Sequence, residues 1–158
     1  MKLGAAKAAG LHTDQGPPLS IPVSFFVLAP LSLLAVGTLL SMQPSTTSRW
    51  TSQLLAATHV GTLGLLGSVM LGALYQMLPV LAGAPVPGAR TGHGVWLLWV
   101  IGTCALVRAL LVPSRWGFTV AMLGLGGALA LFIPPVAVAL ARAPHRSENG
   151  HRVEVHGM

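Results

Sequence analysis

Residues Thr58–Gly83 read THVGTLGLLGSVMLGALYQMLPVLAG, a run with one histidine and no charged side chain. A helix needs about 20 predominantly apolar residues to cross the hydrocarbon core of a bilayer, so this run is long enough to span one. Gly64, Ser68 and Gly72 recur at intervals of four. That small-xxx-small spacing lets a second helix approach closely inside a membrane. The stretch therefore predicts a membrane-spanning helix packed on protein along one side.

Three further apolar stretches surround it. Ile21–Met42 forms a first span with Pro30 inside it, which a membrane helix tolerates because neighbouring groups satisfy the freed carbonyl. The second span runs from about Ser52 to Leu81, longer than a bilayer requires, and so tilts or projects. Gly94–Val112 is the third, with Trp96 and Trp99 near one end and Arg108 near the other. Pro113-Ser114-Arg115 makes a tight turn into Trp116–Ala141, whose far end Pro134-Pro135 is expected to bend. The expected fold is an all-α polytopic membrane protein, four transmembrane helices in an antiparallel bundle. Residues 1–20 form a polar tail, 21–142 the transmembrane domain and 143–158 a second polar tail, neither tail with fixed structure.

Composition agrees. Of 158 residues 53% are hydrophobic and 8% charged, with a mean hydropathy of +0.74; a soluble domain carries about 25% charged residues. The net charge of +6 has no Lys/Arg cluster interleaved with aromatics, so nucleic acid is excluded as a partner. Cys104, the single cysteine, lies in an apolar run and reads as a small packing residue. The N-terminal 20 residues lack the apolar core of a signal peptide.

An even number of spans puts both termini on one side. Lys2, Lys7, Arg90, Arg142, Arg146 and Arg152 fall on that side, against Arg49, Arg108 and Arg115 on the other. The positive-inside rule makes the tails cytoplasmic, in a bacterial-type inner (plasma) membrane, with His59 near the outer end of the second span. All three acidic residues, Asp14, Glu148 and Glu154, lie in the tails. A carboxylate relay of the kind pumps use across the membrane is therefore not expected.

At 100° per residue, His59 shares a helical face with Leu63, Leu66, Met70 and Met77, opposite Ala57, Gly61, Gly64, Ser68 and Gly72. Two readings stay open from spacing alone. His59 is either a packing histidine bonded to a carbonyl across the bundle, or a ligand above an apolar groove that suits a flat cofactor. Tyr75 and Gln76 read as snorkelling groups near the inner interface. His145, His151 and His156 read as part of a solvated tail, their spacings of six and five unsuited to one helix face.

The run HVGTLGLLGSVMLGALYQMLPVLAG resembles the tenth helix of the catalytic subunit I of haem-copper oxidases, in the C-type cytochrome oxidase and nitric oxide reductase branch. That helix reads HxHxGxLG followed by GALYxxxP. Here His59 stands at the second histidine, Gly61 and Gly64 match, and Gly72-Ala73-Leu74-Tyr75 and Pro79 follow in register. The third span, opening GHGVW with His93 and Trp96, resembles the start of the family's next helix. The first span and the tails have no counterpart.

The resemblance implies that His59, which matches the low-spin haem ligand, binds haem b, with Leu63, Leu66 and Met70 as the apolar wall and Arg108 and Arg115 as partners of the propionates. Ala57 stands where the family's reaction-centre histidine would be, so no oxygen-reducing centre and no copper are expected. His93 is at the opposite end of its span, so the haem would be five-coordinate or take its second axial ligand from a second copy or another membrane subunit. The function so implied is that of a small cytochrome b-like membrane protein, in electron transfer or in redox or gas sensing. Such a protein is not an enzyme alone but a possible component of an oxidoreductase complex, with an unidentified electron carrier. The alternative is a cofactor-free structural or assembly subunit of a membrane respiratory complex.

Overall fold

The computed structural model describes residues 19–42, 48, 50–82 and 89–142. The first tail lies outside these residues except for Leu19 and Ser20, and the second lies wholly outside them, with His145, His151 and His156. Of the described residues 92% are helical and none is in a strand. Four helices are long and apolar enough to cross a membrane: Ser20–Ser41, Ser52–Leu78, Thr91–Leu111 and Arg115–Val138, of 22, 27, 21 and 24 residues. The protein is a four-helix polytopic membrane protein.

The first helix, α1, is Ser20–Ser41 and passes through Pro30 without a break. The second span has three parts: α2 (Ser52–His59), a π-helical segment (Val60–Gly67) and α3 (Ser68–Ala82). Thr51 starts it, its hydroxyl accepting from the Leu54 N–H at 3.3 Å. The third helix, α4, is Ala89–Leu111 and begins more than a turn before the apolar run at Gly94. Ser114 caps the last, α5 (Arg115–Arg142), through its hydroxyl to the Gly117 N–H at 3.3 Å. That cap and Pro113 turn the chain between α4 and α5, as expected from the sequence.

In lipid, burying an apolar side chain gains little, and helices associate by close van der Waals contact and hydrogen bonds. Helices α4 and α5 follow that rule. A Cβ on Gly124 would stand 2.8 Å from the Gly102 Cα, and one on Gly117 would stand 2.9 Å from the Ala109 Cβ. Side chains larger than hydrogen at these points would hold the two backbones apart. On the other side of the bundle, α1 packs along the π segment and α3, where Gly64 meets the Ser32 side chain and Gly72 meets Phe25 and Phe26. The small-residue face of the second span is thus covered by α1.

The third set of contacts comes from α4. Trp96 Nε1 donates to the Ser24 carbonyl at 3.0 Å, and Trp99 Nε1 donates to the Leu63 carbonyl at 3.2 Å. Towards the α1 N-terminus the bundle closes on an aromatic core. Tyr75 is stacked on Phe25 with ring centres 5.8 Å apart and meets Phe132 edge-on at 5.3 Å. At 5% exposure Tyr75 is a core residue and not a snorkelling one, because Phe25 and Phe132 close over it from α1 and α5. Gln76, one residue on, is exposed.

Candidate functional site

His59 is the last residue of α2, where the wide turns begin. Its Nδ1 lies 2.7 Å from the Leu55 carbonyl oxygen, one turn back. A carbonyl only accepts, so Nδ1 carries the hydrogen, and in the neutral ring Nε2 keeps its lone pair. The carbonyl is on its own helix rather than across the bundle. Thr58 and Thr62 bond backward in the same way, to the Leu54 and Thr58 carbonyls, each at 2.9 Å. Backward bonds of this kind satisfy polar side chains in lipid and tend to distort the helix that carries them.

The distortion is completed at Leu63. Its carbonyl accepts the Ser68 backbone N–H, five residues on, and the Trp99 indole N–H. Gly67 makes room for the indole: a Cβ there would fall 2.6 Å from Trp99 Cζ2. Wide turns of this type recur at functional sites in membrane and soluble helices.

The wide turns change which residues share a face with His59. One residue added to the winding rotates everything beyond it by about 100°. Thr58, Thr62, Leu66, Met70 and Leu74, four apart, form one exposed ridge, with Leu66 58% and Met70 65% exposed. Half-buried His59 and Leu63 belong to the neighbouring ridge, which continues to Gly67 against Trp99. Met77 is exposed further along the span. The face expected to carry His59, Leu63, Leu66 and Met70 together is therefore split into two adjacent ridges. On the opposite side, Ala57, Gly64, Ser68 and Gly72 are buried as expected, and Gly61 is half-buried near Val36.

Between α1, the π segment and α4 lies a cleft of about 560 Å³. Leu28, Leu31, Val60, Val100 and Val107 are among its apolar walls, with Ser32, Ser68, Thr103 and Cys104 beside them. Ser68 is fully buried, and the buried Thr103 Oγ1 finds no hydrogen-bond partner among the described residues. Arg108, Leu111 and Val112 line the end towards the α4–α5 turn. His59 is not among the lining residues. Arg115 is exposed at the first position of α5, also away from the cleft. Nothing in the sequence pattern pointed to this cleft.

His93, exposed in the first turns of α4, is the other histidine among the described residues. Counting from the Leu63–Trp99 contact, helical rise separates it from His59 by about 15 Å along the bundle. No group of three His, Cys, Asp or Glu side chains that could hold a metal ion occurs among the described residues. The fold and its apolar surfaces define a multi-pass membrane protein. No protein-family model, no curated protein and no solved structure matches the chain.

Proposed function

We propose that the chain is a small membrane haem-binding protein, with His59 Nε2 as one axial ligand and the second supplied by another copy or by a partner subunit. The observation that carries this reading is the bond from Nδ1 to the Leu55 carbonyl. It selects the tautomer in which Nε2 is free and holds the ring in one orientation, the arrangement usual for metal-bound imidazole. The donor chemistry fits iron. Leu63 is the apolar neighbour on the same ridge, and Leu66 and Met70 lie on the exposed ridge beside it, open to a second molecule.

When bound, haem supplies one-electron chemistry, and the protein tunes it through the axial ligand and burial. This chain's part is to present Nε2, to hold its tautomer through Leu55 and to shield one side with apolar surface. Ala57, at the position of the family's reaction-centre histidine, is buried on the side that α1 covers. We place the protein in a bacterial-type plasma membrane with both termini cytoplasmic, on the positive-inside distribution of its lysines and arginines. Electron transfer, or redox or gas sensing, is the role such a site serves. Haem titration of the purified protein, followed by its Soret absorption in wild type and His59→Ala, tests the reading.

The second reading, a cofactor-free structural or assembly subunit, draws on the same Leu55 bond, because it meets the donor need of the imidazole within its own helix. It predicts that His59→Ala leaves assembly with a partner unchanged and that wild type takes up no haem.

A further inference from the structure

Arg108 presents a separate problem. It lines the cleft between α1 and α4, and the chain has no acidic residue between Asp14 and Glu148. The tail-side ends of α1 and α5, Ser20 and Arg142, are on the side of the bundle opposite the α4–α5 turn, and all three acidic residues lie beyond them in sequence. Arg108 is exposed near the end of α4, where a charge-assisted partner at headgroup level favours it, and the sequence supplies no carboxylate side chain near that end. The cleft beside it is apolar, and from Trp99 to Val112 helical rise gives it a length of about 20 Å. One leaflet's hydrocarbon is about 15 Å thick, so the cleft can take an acyl chain along most of its length.

We propose that the cleft between α1 and α4 holds one acyl chain of an anionic membrane lipid, with the lipid phosphate paired to Arg108. Arg108 lies about one turn from the end of α4, close enough for its long stem to carry the guanidinium to headgroup level. That planar donor group suits a phosphate, which it binds by paired hydrogen bonds. Ser32, Gly64 and Ser68 line the cleft where their small side chains let α1 approach the second span.

The experiment is native mass spectrometry of the full chain released from nanodiscs containing equimolar phosphatidylglycerol and phosphatidylcholine. Wild type is expected to retain phosphatidylglycerol over phosphatidylcholine by about tenfold, the ratio that one charge-assisted contact supports. R108Q should lose that preference, and R108K should keep part of it. Cys104→Trp, which fills the cleft and leaves Arg108 in place, should lower retention of both lipids while circular dichroism shows unchanged helicity. Equal retention of the two lipids by wild type, or undiminished preference in R108Q, overturns the proposal. So does haem uptake that depends on Arg108 while lipid retention does not, since that assigns the cation to a haem carboxylate.

Discussion

The Trp99 indole nitrogen donates to the Leu63 carbonyl at 3.2 Å, and the same oxygen accepts the Ser68 backbone N–H from five residues on. One contact thus joins α4 to the second span at its widened turn. Removing the indole donor by Trp99→Phe should cost about 1 kcal/mol, the net value of a neutral hydrogen bond. Trp96→Phe, which frees the Ser24 carbonyl, should cost a similar amount, about 1 kcal/mol. Unfolding of each variant in mixed micelles measures this. Stability unchanged in both would mean that the tryptophans dock α4 through ring contact alone.

The α4–α5 seam depends on the absence of side chains where the backbones touch. Gly124→Ala puts a methyl 2.8 Å from the Gly102 Cα and 3.0 Å from the Leu98 carbonyl oxygen, neither of which is a movable side-chain tip. The expected loss is about 1–3 kcal/mol, as for overpacking elsewhere. Gly126→Ala on the same helix meets nothing within 4 Å. It should be neutral or stabilising by up to about 1 kcal/mol, the helix propensity difference. Equal effects at the two positions would contradict the seam.

Tyr75 is held between Phe25 and Phe132. Tyr75→Ala opens a cavity in the aromatic core and should cost about 3 kcal/mol, while Tyr75→Phe keeps both ring contacts and should stay within about 1 kcal/mol of wild type. The same unfolding assay separates the two. A large loss in Tyr75→Phe would show that the hydroxyl, rather than the ring, is what the core needs.

The direction of insertion is checked by labelling single cysteines in whole cells with a membrane-impermeant reagent, in a Cys104→Ser background. Ser48→Cys, before the second span, should label from outside. A cysteine added after Met158 should label only once the cells are broken. The reverse pattern would place His59 at the cytoplasmic end.

Much of the architecture was legible because apolar length alone decides a membrane span. The first, second and fourth helices begin and end within a residue or two of the apolar runs. Helix α4 starts earlier, at Ala89, because its first turns, ARTGHG, carry no apolar residue beyond Ala89 to mark them. The widened turns escape the pattern for a different reason: Val60–Gly67 does not wind at the uniform 100° per residue of an α-helix. The sequence shows only small residues at Gly64, Ser68 and Gly72, and the structure adds that Val60, Gly64, Ser68 and Gly72 are all buried at this strict interval of four. In a straight α-helix that interval drifts by about 40° at each step, and only added winding keeps the four on one side. The tryptophan bonds and the cleft arise from how α1 and α4 dock, and no local pattern carries that information. For the site, the sequence singled out His59 and the small-residue face opposite, while the grouping with Leu66 and Met70 required the true winding.

The account rests on His59 Nε2 as an iron ligand. Its most direct test is the absorption spectrum of the purified full-length protein titrated with haem in detergent, oxidised and reduced. Wild type and His93→Ala are predicted to develop a saturable Soret band that sharpens and shifts on reduction, and His59→Ala to develop none above the detergent blank. A wild-type protein that stays colourless with haem supplied, or a Soret band undiminished in His59→Ala, would contradict it.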